Sequence, residues 1–308
     1  MSERESPWKS KRGPRPPDER APRETRGARP PREHRPRNEA PHHEAPHHET
    51  GADEHAHARE HRDTELRLYG VNAVRAAFHR RPDALRKLYL VESRIPQLQP
   101  MLRWCVAHRL GYRVVEDEAD LQRLTGSAHH EGVVADMLRE PQATLTTWLQ
   151  HVPAGPVCAL WLDGVGNPHN LGAILRSAAH FGVSAILLPK HSTLTMSGAA
   201  ARVAEGGAEA VPFVRLGRED NALSQLRGAG FALAATVVRD GTPLFEADLP
   251  QRLVYVLGAE GEGMSPALAQ ACDTRVSIPG SGKVESLNVA AATAVLLAEW
   301  SRRVVRHP

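Results

Sequence analysis

Residues 253–306 read LVYVLGAEGEGMSPALAQACDTRVSIPGSGKVESLNVAAATAVLLAEWSRRVVR, and this segment carries the clearest pattern of strand, loop and helix in the chain. Two of its segments, Leu253–Leu257 and Arg275–Ile278, have the length and the flanking residues of short strands, and each runs into a glycine-rich loop. The alanine-rich segment that begins at Ser286 predicts a long helix. Because ligands bind outside the carboxyl ends of the strands in an open α/β sheet, the two loops predict a binding site.

Strand and helix patterns alternate upstream of this stretch, from residue 157 onward. Val157–Leu162 is an apolar run typical of a buried strand, and Leu171–Phe181 has helical spacing, with Asn170 where a helix-capping residue would stand. Further predicted strands lie at 185–188, 211–214 and 231–236, and further predicted helices at 197–204 and 220–227. The pattern predicts an α/β domain, 157–306, whose mostly parallel sheet is covered by helices on both faces.

The first candidate ligand for such a sheet is a nucleotide, but the residues disfavour phosphate. No Gly-x-Gly-x-x-Gly follows the first strand, and GAEGEG at 258–263 carries two carboxylates, which are unfavourable beside a pyrophosphate. A ligand with an adenosine, a cationic centre and no phosphate suits this loop better.

A shorter α/β pattern precedes that domain. Between residues 66 and 138, predicted helices (71–79, 95–109, 121–124) alternate with predicted strands (88–91, 114–115, 133–137), which indicates a small α/β domain. Its arginine and lysine side chains are compatible with RNA contact and equally with solvated helix faces. Residues 139–156 contain three prolines and are interpreted as a linker between the two domains.

Residues 1–64 form a polar segment rich in proline, arginine, glutamate and histidine. It holds too little apolar surface to offset its ordering entropy, so we predict a disordered tail. Met1–Arg37 has 12 Lys or Arg against 6 Asp or Glu, which favours either contact with RNA phosphates or a solubilising role. The repeat APHHEAPHHE at 40–49 has metal-binding side chains, but nothing holds the imidazoles in place, and we predict no metal site.

Whole-chain properties exclude several classes of protein. The chain has 308 residues, of which 41% are hydrophobic, enough for two ordinary domains, and its net charge of +3 is weak support for a polyanionic partner. The three cysteines form no CxxC pair, which argues against a disulfide framework and a thiolate metal site. Neither a membrane span nor a signal peptide is recognisable, so we predict a cytoplasmic protein.

Three blocks of the sequence resemble, in order and spacing, the signature motifs of the SpoU family of RNA ribose 2′-O-methyltransferases. They are LDGVGNPHNLGAILRSAAHFGV (162–183), LVYVLGAEGEGMSPAL (253–268) and SIPGSGKVESLNVAAATAVLLAEW (277–300). LYGVNAVRAAF (68–78) and HHEGVVA (129–135) look like the start and the end of that family's amino-terminal substrate-binding domain. The resemblance covers roughly residues 66–304 and leaves the tail out.

The resemblance implies a catalytic domain tied in a deep trefoil knot, a homodimer, and S-adenosylmethionine bound in the knot. It places the cofactor against positions that match the family's binding residues, largely through backbone groups. These positions are Gly258, Glu260, Gly261, Ile278, Pro279 and Leu287. Glycine suits this role, because a backbone that closely approaches adenine and ribose leaves no room for a β-carbon.

The implied reaction is transfer of the sulfonium methyl group to a ribose 2′-hydroxyl of tRNA or rRNA, with positioning supplying much of the rate. The family's invariant polar positions correspond to five candidate catalytic residues: Asn170, Arg176, Glu260, Ser286 and Asn288. Because a guanidinium is essentially always protonated, we interpret Arg176 as a clamp on a phosphate and the 2′-oxygen rather than as a base. The structural alternatives are helix caps at the serine and the asparagines and an Arg176–Glu260 ion pair.

The chain departs from the family's usual residues at a few positions. Glu205 stands where serine is usual, Asn167 replaces a frequent acidic residue, and Gly280 and Ala290 replace a common methionine and serine. None of these is a candidate catalytic residue, but Glu205 would alter RNA preference if it lies near the substrate.

Two other functions stay open. A family member that binds RNA without methylating it would be expected to lose Arg176, Glu260 or Asn288, and this chain keeps all three. A methyltransferase that acts on a non-RNA substrate would not need the cationic amino-terminal domain and tail.

Overall fold

The first sheet of the computed structural model is mixed and has four strands, β1 (Glu65–Tyr69), β2 (Leu85–Val91), β3 (Tyr112–Val115) and β4 (Val133–Leu138). Their order is β1-β4-β2-β3, with β1 and β2 antiparallel to β4 and β3 parallel to β2. The structure describes residues 64–259, 261 and 263–306. Apart from Thr64, the predicted disordered tail and its histidine repeat therefore lie outside the described residues.

Three helices cover this sheet: α1 (Val71–Arg80), α2 (Ile95–Ala107) and α3 (Glu118–Thr125). Short 3-10 turns span Pro82–Ala84 and Glu92–Arg94. Local residues set the helix ends: the Asp117 side chain accepts a hydrogen bond from the backbone N–H of Ala119 at 2.8 Å, and Gly126 ends α3 in the left-handed conformation. Helices α1 and α2 bury one face of the sheet and α3 covers the other.

The second sheet has eight strands, all of whose pairings are parallel. The strands are β5 (Ala143–Thr144), β6 (Val157–Leu162), β7 (Ala185–Leu188), β8 (Phe213–Arg215), β9 (Ala232–Thr236), β10 (Thr242–Pro243), β11 (Arg252–Leu257) and β12 (Thr274–Ser277). Their order is β10-β12-β9-β11-β6-β7-β8-β5. The predicted parallel sheet is confirmed.

Seven helices accompany this sheet: α4 (Leu145–His151), α5 (Pro168–His180), α6 (Gly198–Ala204), α7 (Gly207–Ala210), α8 (Glu219–Gly228), α9 (Pro266–Ala271) and α10 (Val289–Arg306). Successive residues of the central strands point to opposite faces, so Leu160 packs with α5, α6 and α10, whereas Trp161 packs with α4, α8 and α9. Burial on both faces explains why these strands are apolar throughout. None of the helices in the described part of the chain is long and apolar enough to cross a membrane.

The segment 139–156, interpreted as a linker, contains regular structure. Strand β5 pairs with β8 at the edge of the second sheet, and α4 buries Leu145 and Trp148 against the same sheet. A strand of two residues depends on its distant partner and leaves no pattern in its own residues. The prolines were therefore the visible signal in this segment, and they indicate a loop. The domain boundaries themselves stay a prediction.

The contact of β1 and α1 with α6 and α7, which we call the junction, joins the two sheets. A β-carbon added to Gly198 would lie 2.4 Å from the Arg67 carbonyl oxygen and 2.7 Å from the Tyr69 ring, so α6 and β1 touch almost backbone to backbone. Beside this contact, Arg81 donates two hydrogen bonds of 2.9 Å to the Glu209 carboxylate. Shape and charge are both matched across the junction.

Candidate active site

A cavity of about 560 Å³ opens at the carboxyl ends of β9, β11 and β12, beside the start of α10. Its size lies in the usual range for ligand pockets. Most of its described lining is apolar side chain or glycine backbone, including Leu257, Val276, Ile278, Val289 and Leu296. Glu285 is the charged residue among the described lining residues, which include no lysine or arginine. The cavity occupies the sheet edge where the sequence predicts a binding site.

Gly258 begins the loop that forms one wall of this cavity. Ala259 and Gly263 exchange backbone hydrogen bonds of 2.9 and 3.0 Å, which folds the loop back on itself. A β-carbon on Gly258 would lie 2.4 Å from the Gly263 carbonyl carbon and 2.4 Å from the Met264 nitrogen, so only glycine fits. Gly261 has φ 87°, a conformation that glycine adopts at little cost. The described residues of this loop that line the cavity are three glycines and Ala259, so they bring backbone close to a ligand.

Most of the predicted cofactor-binding residues lie around the cavity. Gly258, Gly261, Ile278 and Leu287 line it, and the exposed Pro279 directly follows Ile278 without being part of the lining. Glu260, predicted for both cofactor binding and catalysis, lies outside the described residues.

Two of the candidate catalytic residues are hydrogen-bonded to each other. Asn288 donates from Nδ2 to the Asn170 Oδ1 at 3.0 Å, across the starts of α10 and α5. Asn288 also caps α10, because its Oδ1 accepts from the backbone N–H of Ala290 at 3.0 Å. The structural and functional interpretations of Asn288 are thus compatible.

The prediction that Asn170 caps α5 is wrong. The cap is Asn167, whose side chain accepts from the His169 N–H at 2.9 Å, and Pro168 occupies the first helical position. Asn170 is the third residue of the helix, so its side chain is available to Asn288.

Arg176 and Ser286 complete the described candidate set. Ser286 lines the cavity and is exposed. Arg176 is an exposed residue of α5, six positions beyond Asn170 and therefore about 9 Å further along the helix. Six positions turn about 240° around an α-helix, so Arg176 leaves the helix on a different side from Asn170.

The cavity suits a cationic nucleoside without phosphates. The described lining has no lysine or arginine, the side chains that most often bind phosphate, although the start of α10 lies beside the cavity. Glu285 forms an exposed ion pair of 3.3 Å with Arg239, so the lining is close to neutral, and the glycine loop leaves room for an adenine and a ribose to lie against backbone. S-adenosylmethionine has this combination of groups.

Sequence reasoning missed the segment after β9, which forms the opposite wall of the cavity. Val237 and Val238 line it, and the Thr236 hydroxyl ties this strand end to the Val256 carbonyl at 2.9 Å. The segment could have been found from the strand pattern. Because β9 is parallel to β11, its carboxyl end lies at the same edge of the sheet.

Two family models match the chain. The SpoU rRNA Methylase family model matches residues 158–298, and the model for RNA 2′-O ribose methyltransferase substrate binding matches residues 67–141. The first covers the cavity and the second covers most of the four-stranded sheet.

Individual proteins are similar over most of their length. The chain is 41% identical over 245 residues to the uncharacterized tRNA/rRNA methyltransferase YfiF of Escherichia coli O157:H7, covering 80% of this chain and 70% of the relative. It is 35% identical over 238 residues to the 23S rRNA (guanosine-2′-O-)-methyltransferase RlmB of Nitrosomonas europaea, covering 77% and 91%. The AdoMet-bound rRNA methyltransferase of Sinorhizobium meliloti matches with a TM-score of 0.66 and 25% identity, covering 80% and 91%.

Proposed function

The chain belongs to the SpoU rRNA methylase family, and we propose that it is an enzyme that transfers a methyl group from S-adenosylmethionine to a ribose 2′-hydroxyl of rRNA or tRNA. The observation that carries the proposal is the cavity at the sheet edge, with a glycine-backbone wall and a fixed asparagine pair beside it. The relatives named as rRNA methyltransferases, one of them solved with AdoMet, support the same reaction.

In this proposal the cofactor-binding residues are those that the sequence indicates. When bound, S-adenosylmethionine supplies a methyl group made electrophilic by the sulfonium charge. The chain would hold it through Gly258, Glu260, Gly261, Ile278, Pro279 and Leu287, of which Glu260 lies outside the described residues. The absence of lysine and arginine from the described lining avoids repulsion of the positive sulfonium.

The polar residues would position the ribose. Arg176 would clamp the phosphate next to the target nucleotide and orient the 2′-oxygen, because a guanidinium binds phosphate in a fixed geometry and does not act as a base. The Asn170–Asn288 pair and Ser286 offer amide and hydroxyl groups at the cavity rim. The 2′-oxygen would form its bond to the methyl carbon as the sulfur–methyl bond breaks, leaving S-adenosylhomocysteine, and the hydroxyl proton would pass to solvent. Proximity supplies much of the rate. Glu260 belongs to this set by its position in the motif.

The RNA partner would lie across both sheets. The substrate-binding family model on residues 67–141 supports a role for the four-stranded sheet in holding RNA. A binding-only protein or a methyltransferase for another substrate is disfavoured, because the chain keeps both the polar set and this region.

A trefoil knot, a homodimer and a cytoplasmic location complete the proposal. The strand order supports the knot, since the chain passes from β11 across β9 to β12 and then returns to pack α10 against α5. Val238 and Leu287 line the cavity yet are 54% and 47% exposed, which supports coverage by a second copy of the chain. Sedimentation at micromolar concentration showing only a monomer would contradict the dimer.

The test is methyl incorporation from labelled S-adenosylmethionine into total RNA of a strain that lacks this gene, with mapping of ribose methylation. We expect wild-type protein to label one 2′-hydroxyl and Arg176→Ala to abolish the labelling. Arg218→Ala, which removes an exposed arginine paired with Asp220, is the matched control and should retain activity. Cofactor binding without labelling of any RNA would favour the binding-only function or a non-RNA substrate.

A further inference from the structure

Carboxylates at the junction are neutralised by arginine in two cases. Glu209 accepts two hydrogen bonds of 2.9 Å from Arg81. Glu131 lies 3.2 Å from Arg202 and also accepts from the backbone N–H at the start of α1. Both side chains therefore contribute to cohesion between the sheets.

Glu205 lies in the same region but has a different partner. Its Oε2 accepts a hydrogen bond of 2.6 Å from the amide of Asn72 on α1, and it forms no ion pair with any residue that the structure describes. An amide orients a carboxylate without neutralising it. Glu205 is thus a fixed, partly exposed negative charge.

Glu205 lies in the turn between α6 and α7, with the four-stranded sheet on one side and α5, the helix that carries Arg176, on the other. Glu205 ends α6 with φ 52°, a left-handed conformation that usually selects glycine. Two residues later, a β-carbon on Gly207 would lie 3.1 Å from the Cα of Arg176, and one on Gly206 would lie 3.1 Å from Ala76 of α1. The turn therefore packs against the backbone that carries Arg176.

If RNA lies beside Arg176, a fixed negative charge at Glu205 favours a hydrogen-bond donor of the RNA over its acceptors. The phosphates of RNA repel it, and an ionised carboxylate is an acceptor only. Guanine is the base whose Watson–Crick edge presents two adjacent donors, N1–H and the 2-amino group, which match the two oxygens of a carboxylate. Adenine and cytosine place a ring acceptor beside their amino group, and uracil flanks its single donor with two carbonyl oxygens.

We propose that Glu205, oriented by Asn72, is a specificity-determining residue that binds the Watson–Crick edge of a guanine within one nucleotide of the methylated ribose. Bases in single-stranded RNA are commonly read on this edge. The inference rests on the proposed function, and it adds which side chain reads the RNA and which base that side chain binds.

The test uses a short transcript that spans the nucleotide methylated by wild-type protein, with the nearby guanine either kept or replaced by inosine, which lacks the 2-amino group. With wild-type protein we expect kcat/KM for the inosine RNA to be lower by about 10-fold to 100-fold, as for loss of a paired base contact. With Glu205→Gln, which keeps size and shape, this inosine penalty should shrink to about threefold or less, because the carboxylate that reads the amino group is gone.

Two further variants separate base reading from a structural role. Asn72→Ala should reduce the inosine penalty in the same direction by a smaller factor, because the carboxylate remains but is no longer held. Glu246→Gln removes an exposed carboxylate on the loop after β10 and should leave the penalty as in wild type. A general loss of folding would lower both rates and leave their ratio unchanged.

The outcomes distinguish this inference from the proposed function. Methyl transfer at a site with no guanine within one nucleotide, or an equal inosine penalty in wild type and Glu205→Gln, would overturn the inference alone. No methyl transfer by wild-type protein to any RNA would overturn the proposed function and this inference with it.

Discussion

The cavity and the junction use glycine and charge in opposite ways. At the cavity, Gly258 lets a loop fold back on itself and present its backbone, and the described lining has no arginine or lysine. At the junction, the space beside Gly198 is filled by β1, and the Glu209 carboxylate is bound by Arg81. The same residue types therefore serve ligand access in one region and cohesion in the other. Substitutions in the first region should reduce binding, and those in the second should reduce stability.

The largest effect is expected from Gly258→Ala. The added β-carbon would lie 2.4 Å from backbone atoms of Gly263 and Met264, which can yield only if the loop moves. Because a displacement of about 1 Å at a reacting centre costs on the order of 100-fold in rate, we expect methyl transfer to fall by about that factor and calorimetry to show weaker binding of S-adenosylmethionine. Gly280→Ala is the control, since its β-carbon would meet no atom within 4 Å. Unchanged affinity in Gly258→Ala would mean that this loop does not hold the cofactor.

Gly198→Ala tests the other side of the comparison. Its β-carbon would lie 2.4 Å from the Arg67 carbonyl oxygen, so α6 and β1 must separate. We expect the free energy of unfolding in urea to fall by about 2 to 3 kcal/mol, as for other overpacked sites, with cofactor affinity unchanged. Gly111→Ala, which has open space around the new methyl group, should be neutral. A fall in cofactor affinity without a loss of stability would contradict the assignment of binding to the cavity and of stability to the junction.

Arg81→Ala removes a charged hydrogen-bond donor from the junction, whereas Gly198→Ala creates a steric clash there. The Arg81 and Glu209 side chains are only 17% and 11% exposed, and hydrogen bonding to Glu209 raises the pKa of Arg81, which keeps it protonated. We expect a loss of about 2 kcal/mol in the free energy of unfolding, the scale of a hydrogen-bonded charged group left without its partner. The exposed Arg218–Asp220 pair provides the comparison, and Arg218→Ala should cost much less than Arg81→Ala because solvent screens the pair. Equal losses in the two variants would show that burial adds nothing at the junction.

The cavity could be located from the sequence because its residues follow the ends of strands. Gly258 follows one apolar run, and Ser286 and Asn288 come after the next predicted strand and its glycine-rich loop, so parallel pairing brings them to one edge. The start of α5 was also readable: Asn167 before Pro168 is a typical cap followed by a typical first residue, and the Asn170 assignment overlooked it.

The junction could not be found in this way. Arg81 and Glu209 are 128 positions apart, and nothing local to either residue indicates the other. Strand β5 likewise depends on a contact between residues far apart in the sequence, because Ala143 and Thr144 form a strand by pairing with Val214 and Arg215. Long-range contacts of this kind are set by how the sheets pack, whereas the cavity is set by local pattern and strand direction.

The smallest effect is expected near the end of α10, the helix that begins at the cavity rim. Glu299 is 5% exposed and accepts hydrogen bonds of 2.7 Å from Arg302 and Arg303, which makes this end of the helix resemble the junction rather than the cavity. The bond from Arg302, together with Arg303, lowers the pKa of Glu299 to about 2. Because an unfolded glutamate has a pKa of about 4.3, the ionised carboxylate stabilises the fold above that pH, and the contribution is lost as the pH falls toward 2.

Glu299→Gln should therefore lower the free energy of unfolding near neutral pH by less than Arg81→Ala, since solvent screens the exposed Arg302. Between about pH 5 and pH 2 the variant should lose stability less steeply than wild type, because it lacks the group that takes up a proton there. Urea unfolding across this range measures the slope, and Glu246→Gln, at an exposed carboxylate, should follow wild type. Methyl transfer at neutral pH should be unchanged in Glu299→Gln. Parallel loss of stability in wild type and Glu299→Gln would place the acid-sensitive group elsewhere, and a loss of transfer would mean that this end of α10 acts with the cavity after all.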